Sequence, residues 1–210
     1  MRLTRPIKPR NPKFNFYIVS EGKTEERYYS GIKNEFQKNK FSNFVQIIPT
    51  VSKHSGADKV VQYAKMKYGS VSREFCSIFC VFDKDQNTDE QIRDALELAS
   101  KNGFKIVFSN PCFEVWFLAH FRDEIKHISR DKLQSILEKD EYLGLNYKAQ
   151  KANNYSKLKN KTQKAIVVSK KIHKPDKKYF DEGNPSTDIH ELMIAIEEKL
   201  KEKGQNFSFK

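Results

Sequence analysis

No stretch of this 210-residue chain approaches the roughly 18 consecutive apolar residues that a membrane-spanning helix requires. Its first twelve residues carry three prolines and four basic side chains in place of the apolar centre of a signal peptide. The expectation is a soluble, cytoplasmic protein with no membrane partner. Cysteine is scarce: Cys76, Cys80 and Cys112 form no C-x-x-C pair, and two of them sit in an apolar run. That argues for reduced core thiols, and against a disulfide framework or a zinc site. No Gly-rich phosphate loop of the Walker or Gly-x-Gly-x-x-Gly type occurs, so nothing supports a nucleotide cradle. Acids, finally, are missing locally. Between Gly144 and Lys178 one acid faces eleven lysines, and the first thirteen residues hold none.

The net charge of +12 is therefore segregated, which suits a partner with a phosphate backbone better than uniform lysine decoration would. The rest of the chain alternates strand and helix. Phe14–Ser20 is aromatic and β-branched, a strand. Gly22 permits the turn into a helix that Thr24 can cap, with Tyr28, Tyr29, Ile32 and Phe36 inward. Phe44–Val51 is a second strand, weakened by Pro49, followed by a helix over Ala57–Tyr68. Seven of the eight residues 75–82 are apolar, a strand buried on both faces. Thr88 caps the next helix, which Asn102-Gly103 ends. Phe104–Ser109 is the fourth strand, and Pro111 suits the first position of the helix after it.

This fourfold βα order predicts an α/β fold with a four-stranded, mainly parallel sheet and a C-terminal helical elaboration. The boundaries are a basic arm over 1–13, the α/β core over 14–125, and lysine-rich helices over 126–210. The latter comprise Arg130–Asp140, Lys157–His173 and a helix begun by Asn184–Asp188, with Leu143–Asn154 as a loop. In parallel sheets ligands bind beyond the carboxyl ends of the strands. Glu21 follows the first strand, Asp83 and Asp85 the third, Asn110 and Glu114 the fourth. If Glu21 and the Asp pair share a metal, strands one and three are neighbours and the order is 2-1-3-4. Carboxylates at i and i+2 form a hard oxygen site suited to Mg²⁺ or Mn²⁺. A metal there would assist attack on a phosphodiester, with Lys23 and Lys84 within reach of the developing charge.

Each residue has a plainer reading. Asp83 and Asn110 are good helix caps. Glu25 and Glu26 suit the positive end of a helix dipole. Glu114, among Phe113, Val115 and Trp116, is either a partnered structural acid or part of a site. Trp116 and His120 read as core, His54 as a solvated loop residue, and His127, His173 and His190 carry no assignment. Lys157, Lys161, Lys164 and Lys171 are the candidate nucleic-acid contacts, with Tyr147 and Tyr155 as weaker stacking candidates.

Glu21-Gly22-x-Thr24-Glu25 after one strand and Asp83-x-Asp85 after a later one resemble the Toprim signature of topoisomerases, primases and OLD-family nucleases. Adding Ser20, Lys23, Tyr28, Phe82, Ser109-Asn110-Pro111-Cys112-Phe113-Glu114-x-Trp116 and Asn184-Pro185-Ser186-Thr187, the chain resembles the RloB-like family from about residue 14 to 200. Members of that family are often encoded beside restriction or other phage-defence genes. The resemblance implies a three-layer Toprim-like fold. It implies Glu21 as metal ligand or general acid/base, Asp83 and Asp85 as the metal pair, and Glu25 and Glu114 as possible second-metal ligands. It further implies Mg²⁺-dependent cleavage of DNA or RNA in phage defence, with an ATPase or restriction-system partner. A non-catalytic Toprim-like binding module is the alternative.

Overall fold

The computed structural model describes residues 12–84, 87–145 and 154–210. The arm over 1–11, Asp85 and residues 146–153 with Tyr147 lie outside the described residues. The chain runs β1 (Phe14–Ser20), α1 (Lys23–Lys38), β2 (Val45–Val51), α2 (Ala57–Tyr68), β3 (Cys76–Asp83), α3 (Asp89–Asn102) and β4 (Lys105–Asn110). It continues through α4 (Glu114–Ala119), α5 (Arg130–Leu137), α6 (Tyr155–Leu158), α7 (Thr162–Ile172), β5 (Ser186–Thr187) and α8 (Ile189–Glu202).

The sheet order is β2-β1-β3-β4-β5, so the order inferred from the acids holds for the first four strands. β1 pairs in parallel with β2 and β3, and β3 with β4. The fifth strand is a correction to the four expected. Ser186 and Thr187 pair antiparallel with Asn110 and Ser109, and two residues are too short a run to show a strand's alternation. Consequently the last helix begins at Ile189 rather than within Asn184–Asp188. The basic segment 157–173 is likewise not one helix. It is broken at Lys161 (φ −125°, ψ 11°), with a 3₁₀ turn between α6 and α7. Pro49 is tolerated because β2 is an edge strand.

Alternation along the strands builds a core on each face of the sheet. Phe14, Phe16 and Ile18 of β1 and Phe79 and Val81 of β3 face α1, α4, α7 and α8. Val19, Ile78, Cys80 and Phe82 face α2 and α3. Tyr28 meets the rings of Phe113, Trp116, Phe117 and Tyr155 at 5.5–6.3 Å, locking α1 to α4 and α6. Side chains this deeply buried contribute about 1.5–3 kcal/mol each. Tyr155 therefore belongs to the core and offers no ring to a base. Cys76, Cys80 and Cys112 are all free and buried, and burial pushes the Cys80 thiol up. Among the described residues no helix is long and apolar enough to cross a membrane.

Candidate functional site

At the carboxyl edge of the sheet the acids divide between its two faces. Glu21 continues the alternation of Val19 and points toward α2. One of its carboxylate oxygens accepts the Gly56 N–H (2.8 Å), and the other accepts from Asn87 Nδ2 (3.2 Å). Gly56 precedes α2 at φ +108°, a conformation that favours glycine and aims this N–H at the acid. Asn87 is the junction of the edge. Its amide also donates to the Asp83 carbonyl (2.6 Å), and its Oδ1 accepts from Ala57 N (2.6 Å). Each Glu21 oxygen thus has one neutral donor and keeps a further lone pair.

Asp83 continues the alternation of Phe79 and Val81 and lies on the α1 side. There Glu25 and Asp83 both face the Tyr29 phenol. Burial pushes that hydroxyl well above its ordinary value, and the charges of Tyr28, Glu25 and Asp83 push it further. Glu25 is only 5% exposed, and its Oε2 lies 2.7 Å from where a Gly22 Cβ would stand. This corrects the expected reason for Gly22. Its φ of −124° is open to any residue, so the glycine makes room for the Glu25 carboxylate rather than for the turn. Gly22 itself is the N-cap, and Thr24 does not cap.

Glu114 opens α4 and is also 5% exposed. Its neighbour Phe113 packs on the Tyr29 ring with centroids 6.1 Å apart, which puts the head of α4 beside the same phenol. Among the described residues the Glu114 carboxylate has no hydrogen bond or ion pair, so no structural partner accounts for its burial. Asp85 lies outside the described residues. Lys23 is exposed, while Lys84 pairs with Asp89 (2.8 Å) and holds that carboxyl below its ordinary range. Asn110 neither caps α4 nor faces the acids. Its amide donates to the carbonyls of Lys178 (3.0 Å) and Phe180 (2.7 Å). Pro111 likewise lies ahead of α4 in a cis peptide and is not its first residue.

The four lysines singled out in the sequence have different occupations. Lys157 Nζ donates to the Leu143 carbonyl (2.8 Å), and Lys161 sits 4.6 Å over the Phe121 ring. Lys164 bridges the Phe121 carbonyl and Asp123, both at 3.0 Å. Lys171 is exposed and has no such contact among the described residues. A cleft of about 620 Å³ lies between α7, α8 and the C-terminal tail, and none of the strand-edge acids lines it.

Sequence reasoning missed Asn87, Gly56 and the Tyr29 hydroxyl. An Asn before a capping Thr looks like any turn residue, and Tyr29 matches the core face of its helix. Only the register brings them to the acids. An all-carboxylate donor set fits a hard cation such as Mg²⁺ or Mn²⁺ and suits thiophilic metals poorly.

A search of curated proteins and one of solved structures each return no significant match. The family model for "RloB-like protein", however, matches residues 16–196, most of the chain. The chain belongs to the RloB-like family.

Proposed function

We propose that this chain is a divalent-metal-dependent phosphodiester hydrolase of the Toprim type, cutting nucleic acid in anti-phage defence. The observation that supports this reading most is a grouping of acids, of which Glu25 and Glu114 are buried and Asp83 is half-buried. The charges of Glu25 and Asp83 act on the buried Tyr29 phenol, and Glu114, with no hydrogen bond or ion pair among the described residues, lies at the head of α4 beside it, at the end of the parallel strands. A passive scaffold gains nothing from desolvating acids in this way. Asp83, Glu25 and Glu114 would hold the ion, with Glu21 and Asp85 completing the edge. When bound, the ion would polarise the phosphoryl group and lower the pKa of a water.

The chain's own groups divide the remaining work. Asn87 ties Glu21 to the end of β3, so the two halves of the edge keep one spacing. The Glu21 carboxylate is the accessible proton acceptor, partly exposed and oriented by two donors. Lys23 sits exposed at the same edge, where it would meet a phosphate's charge. The defence role rests on the family resemblance and on the segregated positive charge.

The test is cleavage of mixed DNA and RNA substrates with Mg²⁺ or Mn²⁺, comparing the native chain with Glu21→Ala and Asp83→Ala. Cleavage by the native chain that both substitutions abolish, with folding intact, supports the reading; cleavage that survives both overturns it. A second reading, a non-catalytic module that holds nucleic acid, draws on the hydrogen bonds by which Gly56 and Asn87 give Glu21 a structural role. It predicts salt-sensitive binding that neither substitution alters.

A further inference from the structure

The end of α7 and the start of α8, just after β5, gather side chains that the strand-edge site does not use. His173 caps the C-terminal end of α7, and His190 and Glu191 lie in the first turn of α8. One ligand atom from each can be chosen so that all three lie within 4.8 Å of one another. The two imidazole rings are 5.3 Å apart and inclined at 77°, so they are not stacked on each other.

Each ring has its Nδ1 turned to an acceptor and its Nε2 left over. His190 Nδ1 lies 3.1 Å from the Thr187 carbonyl. His173 Nδ1 lies 3.1 Å from Oδ1 of the fully buried Asp188, but among the described residues neither atom completes a hydrogen bond. For His190 this is the arrangement of metal-binding histidines, in which a carbonyl takes the Nδ1 proton and fixes the tautomer that presents Nε2. His173 Nε2 is 3.9 Å from Glu191 Oε1. Around a tetrahedral ion with bonds near 2.0–2.1 Å, ligand atoms stand about 3.3 Å apart. The half-exposed Glu191 side chain has the freedom to close that difference.

Charge at the turn is balanced. Lys178 sits 2.7 Å from Asp188 Oδ2, and Lys170 is near His190; both cations oppose a metal. Against them stand Asp188 and Glu191.

We propose that His173, His190 and Glu191 form a Zn²⁺ site that clasps the end of α7 to the start of α8, with the Thr187 carbonyl orienting His190 and the Asp188 carboxylate lying beside His173. Two imidazoles and one carboxylate select a transition metal over Mg²⁺, and three protein ligands leave one position for water or an incoming group. The sequence reading set a zinc site aside because cysteine is scarce; the proposed site uses none, and its histidines are brought together by the fold. The site shares no residue with the acid edge and does not depend on the hydrolase reading.

The experiment uses the full chain, freed of metal by chelation and then titrated with Zn²⁺ against a chromophoric chelator in excess Mg²⁺. Co²⁺ replaces Zn²⁺ in parallel, so that its visible absorption reports the coordination. One equivalent should bind, raise the melting temperature and give the intense bands of a four- or five-coordinate ion. His173→Ala, at a partly buried position, and Glu191→Gln, at an exposed one, should each weaken binding at least tenfold, whereas Asp83→Asn should leave it unchanged. Absence of stoichiometric binding by the native chain would overturn the proposal. So would binding that persists in both His173→Ala and Glu191→Gln, or that is lost in Asp83→Asn.

Discussion

Tyr29 buries a phenol completely, and among the described residues its hydroxyl has no hydrogen-bond partner. A buried hydroxyl in that state costs about 1–3 kcal/mol. Tyr29→Phe should therefore raise stability by about 1 kcal/mol in urea unfolding. A loss instead would mean that the hydroxyl donates to Glu25 or Asp83 and orients the acids. His120 is a second buried polar side chain with a measurable signature. Its Nδ1 lies 2.8 Å from the Trp116 carbonyl, and burial lowers its pKa from 6.5 to about 4. The unfolded chain takes up this proton first. The contribution of neutral His120 is thus complete above pH 6.5, declines as the pH falls, and is gone below about 4. The drop should amount to about 3 kcal/mol and should be absent in His120→Leu, compared by unfolding at a series of pH values. His120 reads correctly as core from its sequence; its sensitivity to acid needs the burial.

Among the elements, what could be read from the chain tracks how local the signal is. Thr88 and Gln91 form the reciprocal cap of α3, and Gly103 ends that helix at φ +63°. Both signals lie within a few residues of the element they define. β5 and the break at Lys161 were not legible, because each depends on what lies across space. Gly22 falls between. Its place after a strand is visible, but its function, leaving space for Glu25, is tertiary. Gly22→Ala would push a methyl group against the Glu25 carboxylate, the far end of a flexible side chain, so the fold should survive. If Glu25 serves the acid edge, Gly22→Ala should lower metal-dependent cleavage about tenfold or more with little change in melting temperature. Equal activity in the two proteins would remove Glu25 from the site.

Across the whole molecule, the parallel pairing of the first four strands was readable from alternating strand and helix, whereas their order was inferred from the acids, and that order decides where the acids meet. The division of those acids between two faces was not readable, since it turns on the parity with which each strand ends. Positive charge shows the same limit. The sequence locates the lysine-rich segment but not which lysines the fold employs. Lys171 has no hydrogen bond or ion pair among the described residues, whereas Lys157 holds the Leu143 carbonyl. Lys171→Ala should reduce the salt dependence of nucleic-acid binding by about one unit of log–log slope at unchanged stability. Lys157→Ala should cost stability as well, and fluorescence anisotropy across salt concentrations with parallel thermal melts separates the two effects.

The account's central claim is that the acids at the carboxyl edge of the sheet form a divalent-cation site. Its most direct test is Mn²⁺ binding to the full chain followed by electron paramagnetic resonance, with competition by Mg²⁺. The native chain, Asp83→Asn and Glu114→Gln are to be compared at one pH. The account predicts Mg²⁺-displaceable binding by the native chain, weakened at least tenfold by either isosteric substitution. Binding of equal strength in all three proteins, or none in the native chain, would contradict it.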